Sequence, residues 1–466
     1  MLNLDFHPTG RHFLQIPGPS PVPDRILRAM SLPTIDHRGP EFGALGLKVL
    51  AGIREIFQTR HPVAIYPASG TGAWEAALAN TLSPGDPVLM YETGHFAALW
   101  HRLATRLGLQ CEVLAYGGGD EVLPNAPSWR RGVQAEMIET RLRKDSEKKI
   151  KAVCVVHNET STGVMSDIAA VRKAIDAAGH PALLLVDTIS GLACADYRHD
   201  EWGVDVSISG SQKGLMLPPG MSFNALSPRA LEAAKTAKLP RSFFAWDEIV
   251  EMNKGGYWPY TPNTNLLYGL HEAIEMLRAE GLPKVFARHQ RWAAGVRAAV
   301  NAWGLAIQCA DAAVYSPVLT GVVMPKGVDA DAVRSLLRSL KGNNPVWYAP
   351  DQGFLGKGML MVPFFGIPAA SNVHTSRLAE LTGATVLYMS HERLPDARGY
   401  RLTIHPPFAH YPSGDAVADV RQLHHCIEED ASRIPAQYWW IHRRFKGLSA
   451  DYPNYYAEGA VQPAAP

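Results

Sequence analysis

The 466-residue chain has few of the features that define several large classes of protein. It has five cysteines, and they lack the paired spacing of a disulfide framework or a zinc site; they are Cys111, Cys154, Cys194, Cys309 and Cys426. No apolar run approaches membrane-spanning length, and no basic stretch followed by an apolar core opens the chain. The net charge is +1, which gives no bulk attraction for nucleic acid. We therefore expect a cytoplasmic protein with no metal site and no nucleic-acid partner.

Short apolar segments alternate with amphipathic ones from about residue 14 to residue 319. The predicted strands are 63–66, 88–91, 151–156, 183–187 and 204–208. Strands that are apolar throughout and separated by helices indicate a parallel sheet with helices on both faces. Because such sheets bind ligands at the carboxyl ends of their strands, the polar residues that follow these segments should converge.

Asp187 and Lys213 are the most informative of these residues. Asp187 ends the apolar segment 182–186, and Lys213 follows the segment 204–208 on a loop of small residues. This arrangement is typical of a pyridoxal phosphate site, in which the lysine forms a Schiff base and the acid keeps the pyridinium nitrogen protonated. The alternatives are an ordinary surface lysine and a helix N-cap.

Three further positions complete the candidate cofactor site. Ser69, Gly70 and Thr71 come directly before a predicted helix (73–82), whose first N–H groups and dipole could hold a phosphate. Phe96 follows a strand end and could stack on the pyridine ring, with a core aromatic as the alternative. Ser161 could donate a hydrogen bond to the ring hydroxyl, or it could cap a helix instead.

Long segments of the first 335 residues resemble the class V aminotransferases of fold type I, and among them the serine–glyoxylate aminotransferases. These segments are 17–20 (PGPS), 36–42 (DHRGPEF), 156–164 (VHNETSTGV), 186–190 (VDTIS), 196–205 (DYRHDEWGVD), 210–215 (GSQKGL), 260–262 (YTP) and 265–270 (NLLYGL). The resemblance implies an α/β fold with a mostly parallel seven-stranded sheet and helices on both faces. It also implies transamination with pyridoxal 5'-phosphate, from an amino acid such as serine or alanine to a 2-oxo acid, glyoxylate.

The resemblance assigns roles to individual residues. It makes Lys213 the Schiff-base lysine and Asp187 the pyridinium partner. It adds Gln212 to Ser69, Gly70 and Thr71 as phosphate ligands, gives Phe96 the ring-stacking position and places Ser161 against the cofactor. Thr261, with Tyr260 or Tyr257, matches a segment that reaches the phosphate of a neighbouring subunit, which implies a homodimer with shared sites.

The sequence changes character after residue 340 and there resembles the C-terminal part of the lipid A lauroyl acyltransferases. The matching segments are 346–352, 362–370, 376–379, 381–384 and 435–446. That family uses a His-x-x-x-x-Asp pair in an N-terminal half that this chain does not match. His425 and Asp430 have this spacing by coincidence, on a predicted helix at 417–434. The segment 438–446 mixes aromatic and basic residues and could touch a membrane surface, or it could be a partly buried edge.

We therefore predict an N-terminal arm (1–20), a cofactor-binding large domain (21–270), the start of a small domain with a junction helix (271–340, helix 329–340), and a smaller α/β acyltransferase-like fragment (341–466). The small-domain strand that carries a carboxylate-binding arginine in the aminotransferases, of Arg-Ile-Gly type, is not found. Impaired turnover is therefore expected. Two alternatives remain open, a lipid A acyltransferase-related protein peripheral to the inner membrane and a catalytically dead fusion.

Overall fold

A computed structural model describes residues 17–117, 127–302, 304–323, 359–395, 398–438 and 445. The chain divides into two compact units, Leu14–Val323 and Met324–Pro466 with Met1–Phe13. The predicted helix at 329–340 and the predicted strand at 346–349 lie outside the described residues. Each unit is described by itself.

The first unit is built on a seven-stranded sheet of order β1-β9-β8-β7-β4-β2-β3. The strands of this unit are β1 (Val63–Tyr66), β2 (Pro87–Tyr91), β3 (Gln110–Leu114), β4 (Ala152–Val156), β5 (Asn158–Glu159), β6 (Val164–Met165), β7 (Leu183–Asp187), β8 (Val206–Gly210), β9 (Ser222–Leu226), β10 (Ala306–Ile307) and β11 (Val322–Val323). Within the sheet β9 runs antiparallel to both of its neighbours, β1 and β8, and the other neighbouring strands are parallel. The predicted mostly parallel seven-stranded sheet is confirmed.

Helices cover both faces of this sheet. They are α1 (Asp24–Met30), α2 (Pro40–Phe57), α3 (Gly70–Thr81), α4 (His95–Arg106), α5 (Ala135–Lys144), α6 (Ile168–Ala177), α7 (Pro228–Ala234), α8 (Trp246–Asn253), α9 (Thr264–Glu280) and α10 (Leu282–Ala302).

Alternate residues of each central strand belong to two different cores. In β4, Val153 and Val155 face the core that contains α2 and α9, whereas Ala152 and Cys154 face the core that contains α3 and α4. Because side chains alternate across a strand, a strand covered on both faces is apolar at most of its positions. This explains why β4 reads as an unbroken apolar run in the sequence.

The parallel strands place their carboxyl ends on one edge of the sheet. In spatial order, β8, β7, β4 and β2 are consecutive neighbours. The residues that follow these four strands therefore lie side by side. The connection between β8 and its antiparallel neighbour β9 carries Lys213.

The second unit combines two hairpins and two helices. They are β12 (Met359–Phe364) with β13 (Ile367–Asn372), β14 (Leu387–Arg393) with β15 (Tyr400–Pro407), α11 (His374–Thr382) and α12 (Ala416–Arg433). Val362 and Phe364 of β12 pack against Val420 and Ile427 of α12. The predicted strand at 360–362 lies within β12, and the predicted helix at 417–434 coincides with α12 to within one residue at each end. No helix in the described part of the chain has the length and apolar character needed to cross a membrane.

Candidate active site

Asp187 is a buried carboxylate at the carboxyl end of β7, with only 4% of its surface exposed. Its Oδ2 accepts a hydrogen bond from Trp74 Nε1 at 2.9 Å, and its Oδ1 accepts one from the Ile189 backbone N–H at 2.7 Å. Burial raises the pKa of Asp187 to about 7, against the lowering effect of these two donors. A carboxylate held in this way is prepared to receive a cation, because a cationic partner would offset its cost of burial.

Lys213 lies on the connection between β8 and β9 and is half-buried. Its Nζ donates a hydrogen bond to the Pro17 backbone carbonyl at 3.0 Å. Burial lowers the pKa of Lys213, and the nearby Asp187 opposes this effect. A lowered pKa leaves more of the amine neutral, which is the nucleophilic form.

The segment after Pro17 closes over this lysine. The Ser20 backbone N–H donates to the Gln212 carbonyl at 3.0 Å, and Ser20 Oγ donates to the Lys213 carbonyl at 3.1 Å. Gly18 has a φ of +139°, and a Cβ at this position would lie 2.5 Å from Lys213 Nζ. Only glycine allows this close approach without displacing the lysine side chain.

The N-terminus of α3 forms a cradle at the same edge. Ser69 is its N-cap residue, but the Ser69 side chain accepts no capping hydrogen bond. A Cβ on Gly70 would lie 2.4 Å from Ile189 Cδ1, so the backbone there is packed directly against the residues that follow Asp187. The Oε1 of Gln212 is buried without a hydrogen-bond partner, and the amide can present its NH₂ group to an anion instead. First-turn N–H groups, a free hydroxyl and an unsatisfied amide fit a phosphate.

Phe96 and the hydroxyl of Ser161 both lie at the start of α4. Phe96 is half-buried, with one side against the core that contains α3 and α4, so part of its ring is available for stacking. Ser161 Oγ accepts a hydrogen bond from the His95 backbone N–H at 2.8 Å and donates one to Glu159 Oε1 at 2.7 Å. The Ser161 hydroxyl thus bonds the first N–H of α4 and lies beside Phe96 in the chain's fold at that helix end.

The segment 257–261 lies beside the motif of residues 36–42. The hydroxyls of Tyr260 and Tyr257 donate to carbonyls of their own chain, those of Ile65 at 2.9 Å and Gly39 at 3.4 Å. Thr261 is exposed. A cavity of about 580 Å³ is lined here by residues that include His37, Arg38, Tyr257, Tyr260 and Thr261.

Sequence reasoning missed two residues at this site. Trp74 lies inside α3, where a tryptophan reads as core, and only the folded chain brings its N–H to Asp187. Glu159 is part of the segment 156–164, but a carboxylate there carries no signal of what it will bond. The hydrogen bond from Trp74 to Asp187 and the one from the Phe96 N–H to Glu159 both join residues that are far apart in sequence.

His425 and Asp430, which have the acyltransferase spacing, contact different residues in the structure. His425 is exposed, and its Nε2 lies 3.4 Å from Glu429 Oε1. Asp430 accepts a hydrogen bond from Tyr388 and pairs with Arg433. Two residues of the segment 438–446 are described, Tyr438 and Phe445. Both pack near Phe364, as the interpretation of this segment as a partly buried edge predicts.

A mostly parallel seven-stranded sheet with a lysine and a buried acid at its carboxyl edge defines a fold type I pyridoxal phosphate enzyme. The family described as "Aminotransferase class-V" matches residues 14–340. The chain therefore belongs to the class-V aminotransferase family. Its reaction is pyridoxal phosphate-dependent transamination, with an amino acid and a 2-oxo acid as substrates.

Curated relatives support this assignment. A serine–glyoxylate aminotransferase of Hyphomicrobium methylovorum is 46% identical over 323 residues, which cover 69% of this chain and 77% of the relative. An L-aspartate–glyoxylate aminotransferase of Paracoccus denitrificans is 44% identical, over 70% of this chain and 80% of the relative.

A solved structure of an alanine–glyoxylate aminotransferase from Nostoc sp. is similar, with a TM-score of 0.63 at 28% identity. The match covers 77% of this chain and 89% of that one. A second family, described as "Bacterial lipid A biosynthesis acyltransferase", matches residues 321–447, so the two matches overlap at residues 321–340.

Proposed function

We propose that this chain transfers the amino group of serine, alanine or aspartate to glyoxylate, with Lys213 and Asp187 as its catalytic residues. The pairing of a half-buried lysine with a buried acid at adjacent strand ends carries the proposal. The choice of substrates is supported by the similar relatives, which are named for serine, aspartate and alanine as donors to glyoxylate.

The residues divide the work of holding the cofactor. Lys213 Nζ would hold it covalently, and Asp187 would pair with its ring nitrogen. Ser69, Gly70, Thr71 and Gln212 would hold its phosphate. The bound cofactor supplies an electron sink that stabilises negative charge at the substrate α-carbon.

The chain's own groups move the proton. The Lys213 Nζ amine would accept the α-proton of the amino acid, and the resulting ammonium would later donate that proton back within the site. Its lowered pKa suits this exchange, because a group must be able to exist in both protonation states to act as base and then as acid. Phe96 and Ser161 would confine the ring so that the α-carbon faces Lys213.

The proposal includes a homodimer and a weak hold on the substrate carboxylate. Thr261 is exposed beside Tyr260, which supports its assignment to the phosphate of a neighbouring subunit. The sequence after residue 340 has no Arg-Ile-Gly motif, and a bidentate arginine contact gives both energy and orientation. We expect cofactor binding to be less affected than turnover.

The five free cysteines support a reducing compartment such as the cytoplasm.

We also propose four segments, which are an N-terminal arm (1–20), a large domain (21–270), a small-domain start (271–340) and an acyltransferase-like fragment (341–466). The family match that ends at residue 340 supports the last boundary, whereas the compact units divide at Val323 and Met324.

The test is the visible absorbance of the protein loaded with pyridoxal phosphate. The wild type should show a band that bleaches with L-serine and returns with glyoxylate. Lys213→Ala should lose the cofactor on dialysis and be inactive. Lys235→Ala, at an exposed lysine paired with Glu232, serves as the control and should behave like the wild type. Unchanged transamination by Lys213→Ala would refute the assignment of the lysine.

A further inference from the structure

Glu159 is a fully buried carboxylate between the end of β4 and the start of α4, with 0% of its surface exposed. It accepts four hydrogen bonds. Oε1 accepts from Ser161 Oγ at 2.7 Å, from the Ser161 backbone N–H at 3.0 Å and from the Phe96 backbone N–H at 3.4 Å, and Oε2 accepts from the Ala97 backbone N–H at 3.2 Å. Both oxygens therefore have partners, as buried polar atoms require, and these donors oppose the rise in the pKa of Glu159 that burial causes.

These four bonds connect the two residues proposed to hold the cofactor ring. Phe96 is the second residue of α4, and Glu159 bonds its backbone directly. Ser161 is bonded to Glu159 through both its hydroxyl and its N–H, and its hydroxyl also accepts from the His95 N–H at 2.8 Å. A displacement of the Glu159 carboxylate would therefore move Phe96 and Ser161 together.

A negative charge suits this position for a second reason. The first N–H groups of a helix have no partners within the helix, and the helix dipole favours an anion there. Glu159 caps α4 from another element, because the N-cap residue Gly94 has no side chain to do so. A Cβ on Gly94 would lie 2.5 Å from Glu159 Cγ and 2.5 Å from Ser161 Oγ, so the lack of a side chain at Gly94 is what admits the two groups.

We propose that Glu159 is a positioning residue that holds Phe96 and Ser161 in register around the cofactor ring without touching the cofactor itself. This inference rests on the proposed function, which places Phe96 and Ser161 against the ring. Burial separates Glu159 from any bound molecule, so its effect must pass through its two neighbours. Glu159 also acts on the neighbouring strand end, where its charge contributes to the raised pKa of Asp187.

The experiment compares Glu159→Ala, Glu159→Gln and a control in the full-length protein. In Glu159→Ala all four of these hydrogen bonds are lost, and the affinity for added pyridoxal phosphate should fall about tenfold. The circular dichroism that the protein induces in the cofactor's visible band should weaken, because the ring is no longer held in one orientation. Glu159→Gln should lie between this variant and the wild type, since its amide oxygen can still accept from Ser161 and Phe96.

Asp167→Ala is the matched control. Asp167 caps α6 through the Ala170 N–H at 2.9 Å, so this variant also loses a carboxylate cap. It should lower the melting temperature but leave the cofactor affinity and the visible dichroism as in the wild type. If Glu159→Ala folds poorly, Glu159→Gln decides the question with the same two measurements.

Wild-type affinity and dichroism in a folded Glu159 variant would overturn the positioning role alone. A wild-type protein that binds no pyridoxal phosphate would overturn the proposed function and this inference together. The two failures are therefore distinguished by the wild-type measurement.

Discussion

The buried carboxyl of Asp187 should make the stability of the cofactor-free protein depend on pH, and Asp187→Asn should remove that dependence. In the unfolded chain the carboxyl ionises near its ordinary pKa of 3.8, whereas burial raises its folded pKa to about 7. Between these values the folded protein holds a proton that the unfolded chain has released. The folded state therefore loses stability relative to the unfolded state as the pH rises through this window.

The size of the effect follows from the two pKa values. The interval from 3.8 to about 7 corresponds to about 4 kcal/mol in the free energy of unfolding, and about 3 kcal/mol of it falls between pH 5 and pH 8. Asparagine at position 187 cannot ionise. It also cannot accept from both Trp74 and Ile189, because its NH₂ group would face one of these donors. The lost hydrogen bond lowers the free energy of unfolding of the variant by about 1–3 kcal/mol at every pH. It therefore shifts the curve of stability against pH without changing its slope.

The assay is urea unfolding of both cofactor-free proteins at pH 5, 6, 7 and 8. The stability of Asp187→Asn relative to the wild type should rise across this range. Other groups cancel in this difference. His157 and His199 are examples, because burial lowers the pKa of each to about 4 and they add stability with rising pH in both proteins.

Asp247→Asn, at an exposed position of α8, is the control and should keep the wild-type slope. The reasoning would be refuted if Asp187→Asn and the wild type had parallel stability curves from pH 5 to pH 8. Such a result would mean that the Asp187 carboxyl ionises in the folded protein as readily as in the unfolded chain.

Three further outcomes are expected. Trp74→Phe removes a hydrogen bond that lowers the pKa of Asp187, so the pKa of Asp187 should rise further. The same unfolding series should show that this variant loses about 2 kcal/mol of stability at pH 8 and less at pH 5. Gly18→Ala should weaken cofactor retention on dialysis, because its Cβ would displace the Lys213 amine, whereas Gly85→Ala, also at positive φ but with open space around it, should lose stability only. The full chain should transfer no acyl group from a thioester donor to a lipid A precursor, and transfer above background would support the acyltransferase alternative.

The strands could be predicted because their burial on both faces leaves a simple pattern. The predicted segments 63–66 and 183–187 coincide with β1 and β7. The helix after Ser69 begins at Gly70, three residues before the predicted start. Its first residues, Gly70, Thr71 and Gly72, have low helix propensity, and packing against Ile189 outweighs that preference.

The direction of β9 and the hydrogen bonds that hold the site residues in place could not be predicted from the sequence. A strand such as 222–226 has the same composition whichever way it runs, so the sequence does not reveal that it is antiparallel. The hydrogen bonds that Trp74 donates to Asp187 and that Phe96 donates to Glu159 span 113 and 63 residues. Such contacts arise only once the sheet has fixed the strand order, whereas the residues that follow strand ends could be located from the strands alone.

The antiparallel strand β9 affects which parts of this chain can vary in length. Lys213 lies on the connection between β8 and β9, which are hydrogen-bonded neighbours, so both ends of residues 211–221 are fixed by the same ladder. An insertion there would shift the lysine relative to Asp187. By contrast, residues 115–151 lead from β3, at the edge of the sheet, past β2 to β4, and a longer connection there would leave every strand in place. Length variation among natural relatives should therefore accumulate between β3 and β4 and be rare between β8 and β9.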